Sequence, residues 1–176
     1  LYPRDRVAAL RDAIAAAQGI PAEGVVLGAG SAEVLRAAVF AFCGPDRPLV
    51  TAIPSYEAPQ RDAALVRAPV RGIPVTGDMH LDLDAMAAAA PGAGLVFLCN
   101  PNNPTGTLHG TEAVAACLAR ITREAPATTI LVDEAYHEYV ADPRYASALP
   151  TAIAQPNVIV SRTFSKIYGI AGLRVG

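Results

Sequence analysis

Lys166 is the only lysine in a chain of 176 residues; the other thirteen of its fourteen basic residues are arginine. A GC-rich coding sequence, which the abundance of alanine suggests, replaces surface lysines by arginine. It cannot do so where chemistry needs a neutral amine, because a guanidinium stays protonated and forms no Schiff base. The surviving lysine therefore points to catalysis. It ends the segment Ser161-Arg162-Thr163-Phe164-Ser165-Lys166, with hydroxyls beside it and Arg174 eight residues on. Asp133-Glu134-Ala135-Tyr136 directly follows the apolar run Ile130-Leu131-Val132. A carboxylate so placed needs a cationic partner or strong donors, and a protonated heterocyclic nitrogen would serve.

Three further segments combine rigid turns with polar groups. Asn100-Pro101-Asn102-Asn103-Pro104-Thr105-Gly106 joins two prolines and a glycine, which fix a turn, to three amides that donate directionally. Gly28-Ala29-Gly30-Ser31-Ala32-Glu33 opens a helix with two glycines and a serine, where free backbone N–H groups and the helix dipole favour an anion such as phosphate. The dinucleotide fingerprint fails here, because residue 33 is glutamate where glycine is needed. Pro54-Ser55-Tyr56 offers a ring that can stack on a flat cofactor. The plain structural readings of these three are an Asn-Pro turn, a helix cap and rim packing. Taken together, an amine, an acid for a pyridinium, a stacking ring and a phosphate cradle are the parts that pyridoxal phosphate requires.

The elements that must position them alternate along the chain. Apolar runs predict strands at 25–27, 49–53, 70–74, 95–99, 129–132 and 158–161. Alanine-rich amphipathic stretches predict helices at 4–18, 32–42, 58–65, 83–90, 111–124 and 146–154, the first with Val7, Leu10 and Ile14 on one face. Nearly every strand is apolar throughout, as expected where helices cover both faces of a sheet. This is an α/β pattern: three αβα layers around a mostly parallel sheet, with ligands beyond the carboxyl ends of the strands. Residues 1–20 form an N-terminal segment and first helix, and residues 21–176 one partial domain without an internal linker. Ala171 to Gly176 begins a new apolar segment, so the sheet is expected to be incomplete at its C-terminal end and the chain a piece of a longer one.

Composition narrows the function classes. A net charge of -2 without a basic cluster argues against nucleic acid and against a polybasic membrane patch. No apolar run approaches the ~18–20 residues that cross a bilayer, and the first residues carry no signal-peptide pattern, so a cytoplasmic enzyme is expected. Cys43, Cys99 and Cys117 are an odd number in separate apolar segments, which predicts buried thiols in a reducing compartment. His80, His109 and His137 have no metal-ligand spacing, no metal is expected, and Asp82 with Asp84 reads as a helix start.

The sequence resembles the fold-type I pyridoxal-phosphate enzymes, and among them the class I/II aminotransferases of the histidinol-phosphate aminotransferase type. The likeness spans the chain and rests on Asn102-Asn103-Pro104-Thr105-Gly106, Asp133-Glu134-Ala135-Tyr136 and Ser165-Lys166 in this order. The resemblance implies that Lys166 forms the Schiff base with the cofactor, Asp133 partners the pyridine nitrogen and Tyr56 stacks on the ring. It implies that Asn103 and Tyr136 donate to the phenolic oxygen. Gly30, Ser31, Ala32, Thr163, Ser165 and Arg174 fall where the family holds the phosphate. Residue 32 is alanine where relatives often carry a polar side chain, so only its N–H could serve. Tyr2 matches a tyrosine that reaches the phosphate of the neighbouring subunit, implying a homodimer. The further strand after Gly176 and the small domain with its carboxylate-binding arginine lie outside these residues.

The implied reaction is transamination between an amino acid or an amino-alcohol phosphate, such as histidinol phosphate, and a 2-oxo acid. Lys166 would act as general base and Asp133 would keep the ring nitrogen protonated. A decarboxylase, lyase or synthase using the same cofactor, or an inactive cofactor-binding fragment, are the competing readings. The 176 residues alone are not expected to turn over substrate.

Overall fold

The computed structural model describes residues 4–176, with side chains from Arg6 onward. Five strands, β1 (Leu49–Ile53), β2 (Val70–Pro74), β3 (Leu95–Cys99), β4 (Thr129–Asp133) and β5 (Val158–Ser161), form one sheet in the order β2-β1-β3-β4-β5. Every pairing is parallel, so all carboxyl ends share one edge. α1 (Arg4–Gln18) and α2 (Ser31–Phe42) precede the first strand, and α3 (Ala58–Leu65), α4 (Leu83–Ala88), α5 (Thr111–Glu124) and α6 (Leu149–Ala154) lie between successive strands.

Alternate residues of each strand feed two separate cores, as a pleat covered on both faces requires. Val50, Val96, Leu98, Ile130 and Val132 pack with Met86 of α4 and Val114, Leu118 and Ile121 of α5. Leu49, Leu95, Phe97, Cys99 and Leu131 pack with Leu35 and Val39 of α2 and Ala63 of α3. The expected three αβα layers follow. β2 departs from the rule of apolar strands: its residues alternate between exposed and half-buried, because it lies at an edge. Asp82 caps α4 by accepting the N–H of Ala85 at 2.9 Å, the helix start read from the sequence. Among the described residues, no helix is long and apolar enough to cross a membrane.

Two elements differ from expectation. Val25 to Leu27 is not a strand; a short 3-10 turn at Ala22–Gly24 precedes it and Val26 is 77% exposed. β-branched composition alone makes no strand where no ladder partner is present. The neighbouring Gly28 does have one: its N–H donates to the Gly176 carbonyl at 2.9 Å and its carbonyl accepts from the Gly176 N–H at 3.2 Å. α1 forms as expected, but Val7 and Leu10 are not in either core. Leu10 and Ile14 instead line an apolar groove of about 460 Å³ with Val25, Leu27 and Val160. Smaller shifts occur at α4, which stops at Ala88, and at α6, which starts only at Leu149 because Ser147 and Ala148 are drawn into hydrogen bonds with Glu134.

Candidate active site

The turns leaving β1, β3, β4 and β5 converge with the first turn of α2 around a cavity of about 260 Å³. Parallel strands bring them together by construction, since each delivers its next residues to the same edge. Ser31, Ala32, Tyr56, Asn103, Asp133, Tyr136, Thr163, Ser165, Lys166 and Arg174 all line it. These ten residues come from segments as distant in sequence as 31 and 174, and all were expected at the site from the residues themselves or from the family resemblance. Gly30 is not among the lining residues but lies against the guanidinium of Arg174, which is, and Tyr2 lies outside the described residues.

The anion-binding part is built from backbone. Gly30 is the N-cap of α2 with φ 84° and ψ 159°, a conformation that favours glycine. A Cβ there would stand 2.5 Å from Nη2 of Arg174. That guanidinium reaches in to donate to the carbonyls of Ala29 at 3.2 Å and Ala171 at 3.0 Å. The N–H groups of Ser31 and Ala32 find no backbone acceptor among the described residues, as expected of a first helical turn. Glu33, which spoils the dinucleotide fingerprint, acts locally instead, since its Oε2 accepts the N–H of Ala29 at 2.6 Å and fixes the turn. Thr163 Oγ1 accepts the N–H of Ser165 at 3.1 Å, holding the two hydroxyl residues in one turn.

The carboxylate of Asp133 is buried at the end of β4. Ser161 Oγ donates to its Oδ1 at 2.7 Å, and the Ala135 N–H also donates. Burial outweighs these donors and pushes its pKa from 3.8 up to about 6, while the positive charge of Lys166 pulls weakly the other way. Lys166 is exposed, with Nζ 5.3 Å from the centre of the Tyr136 ring, and forms no ion pair among the described residues. Glu134, the next residue, is satisfied elsewhere. It receives Ser147 Oγ at 2.7 Å, the Ala148 N–H at 2.6 Å and the Arg162 guanidinium, whose Nη1 also bonds Gln18 of α1 at 3.0 Å.

Three lining residues escaped sequence reasoning: Cys99, Ala135 and Ala171. Cys99 is in register with Asp133 on the neighbouring strand, and its thiol, bonded to the Pro101 carbonyl, is pushed up to about 12 by burial and by that carboxylate. It is an inert wall. Its position as the last residue of an apolar strand was the available signal. His137 turns to the Tyr145 hydroxyl at 3.3 Å instead of lining the cavity.

Residues 1–176 match the family described as aminotransferase class I and II. The chain belongs to that family. It is 42% identical over 176 residues to the histidinol-phosphate aminotransferase of Symbiobacterium thermophilum, covering 99% of this chain and 47% of that protein. It is 40% identical to the aromatic amino acid aminotransferase of Corynebacterium diphtheriae, covering 99% and 50%. Among solved structures, histidinol-phosphate aminotransferase from Sinorhizobium meliloti in complex with pyridoxal-5'-phosphate is similar with a TM-score of 0.87 and 32% identity, covering 94% of this chain and 44% of that one. The chain thus spans about half the length of the curated relatives it matches.

Proposed function

We propose that the protein is a pyridoxal-phosphate-dependent transaminase, moving an amino group between an amino acid or an amino-alcohol phosphate of the histidinol-phosphate kind and a 2-oxo acid. One observation carries this reading. The only lysine lines the same cavity as a buried carboxylate whose pKa is raised and a helix N-terminus with N–H groups to spare. The donor set suits the cofactor, because Asp133 meets no strong cation among the described residues and Gly30 leaves room for Arg174 where a Cβ would fill the cradle.

When bound, the cofactor supplies an aldehyde that takes up an amine and a protonated ring that accepts the electron pair released at the substrate Cα. Lys166 would supply the amine that holds the cofactor and the base that takes a proton from the substrate Cα. Asp133 holds the proton on the ring nitrogen. Tyr56 would stack against the ring, and the Asn103 amide and Tyr136 hydroxyl would donate to its phenolic oxygen. The N–H groups of Ser31 and Ala32, the hydroxyls of Ser31, Thr163 and Ser165, and Arg174 would hold the phosphate.

The reading extends to a homodimer in which Tyr2 of one subunit reaches the phosphate of the other, with residues 21–176 forming part of the cofactor domain. It includes a cytoplasmic location, which the buried free thiols Cys43, Cys99 and Cys117 support. Borohydride reduction of the protein with pyridoxal phosphate is expected to fix the cofactor on Lys166, as read by peptide mass analysis. An amino donor should discharge the visible absorbance before reduction, and label on any other amine would refute the assignment.

A further inference from the structure

Asn102 is 2% exposed and does not line the cavity, yet both neighbouring loops that do line it are fastened through its side chain. Its Oδ1 accepts Ser55 Oγ at 2.8 Å, in the turn that carries Tyr56 after β1. Its Nδ2 donates to the Pro54 carbonyl at 3.1 Å and to Thr105 Oγ1 at 2.9 Å. Its backbone N–H donates to the Thr107 carbonyl and its carbonyl accepts the Gly106 N–H, both at 2.8 Å, which closes the turn containing Asn103. Both amide hydrogens and the amide oxygen are therefore used, in a buried place where a missing partner is costly. The bonds run on from Thr105 to the Thr107 hydroxyl at 2.7 Å, and from there to the Met79 carbonyl at 2.8 Å, in the segment between β2 and α4.

We propose that Asn102 is a positioning residue that fixes the Tyr56 ring relative to the Asn103 amide, and so sets the slot for the cofactor ring. The inference rests on the cofactor reading above. Only a carboxamide satisfies all three bonds. Aspartate keeps the Ser55 contact but turns a second oxygen toward the Pro54 carbonyl, and alanine loses both loops. The slot then varies in width although Tyr56 and Asn103 are still present.

The test uses the intact protein with pyridoxal phosphate itself and reads the cofactor Kd, the visible circular dichroism of bound cofactor and the melting of the cofactor-free form. Asn102→Ala and Asn102→Asp should weaken the cofactor about tenfold, with altered visible ellipticity, and Ser55→Ala about threefold. The Ser55→Ala/Asn102→Ala double variant should bind no worse than Asn102→Ala, because both remove the same bracket. Unchanged Kd with lowered melting, or additive losses in the double variant, would overturn the inference. If the Asn102 variants fail to fold, Ser55→Ala decides alone: weaker binding supports the bracket and wild-type binding refutes it. A wild-type protein that binds no pyridoxal phosphate overturns the proposed function and this inference together, whereas wild-type binding with unaltered variants overturns this inference only.

Discussion

Asp133 carries a buried negative charge whose own donors, Ser161 and the Ala135 N–H, do not offset its desolvation. Its folded pKa of about 6 lies above the unfolded value of 3.8, so the folded state binds the proton more tightly between these values. Stability from this group is present below the unfolded value and is lost as pH rises through the folded one, by about 3 kcal/mol in all. Cofactor-free Asp133→Asn should therefore melt above cofactor-free wild type at pH 7.5, with the gap closing toward pH 4. Equal melting at both pH values would show that another cation already compensates the carboxylate. The same residue was legible in sequence because an acid at the end of an apolar strand demands an explanation. Glu134 beside it was not, since its partners Ser147 and Arg162 lie far along the chain and only the fold brings them near.

Two element junctions can be tested by single substitutions. Gly30 sits at the N-terminus of α2 with positive φ and the Arg174 guanidinium against it. Gly30→Ala combines strain with a clash and should weaken both pyridoxal phosphate and inorganic phosphate by at least about tenfold in equilibrium titrations. Arg162, after β5, pairs with Glu134, which is 2% exposed, and ties both to α1 through Gln18. Arg162→Met leaves that carboxylate buried and unpaired, and should cost about 3–5 kcal/mol in urea unfolding, partly recovered by adding Glu134→Gln. Strands β1 and β3 and helix α5 begin and end as the sequence predicts, because apolar runs and helical periodicity are local properties. The error at Val25 to Leu27 has the opposite origin: strand formation depends on a ladder partner, and composition says nothing about where that partner lies.

At the scale of the molecule, the proposed homodimer makes a prediction about sharing. Mixing Tyr2→Phe with Lys166→Ala subunits should give a dimer with one intact site, whose cofactor affinity matches wild type and exceeds that of the Tyr2→Phe homodimer. Equal affinities would place Tyr2 in its own subunit's site or outside any site. The parallel sheet was legible in most of its strands because four of the five chemical segments adjoin strands β1, β3, β4 and β5, which share one direction and so populate one edge. The double hydrogen bond between Gly28 and Gly176 has a temporal meaning as well. The turn that opens α2 is completed by a residue translated about 150 positions later, roughly 7–30 s at ribosomal rates of ~5–20 residues per second. Lys166 and Arg174 also emerge in the last moments of that interval. A nascent chain therefore presents its helix long before it can capture the cofactor, and loading cannot begin until this segment has been made.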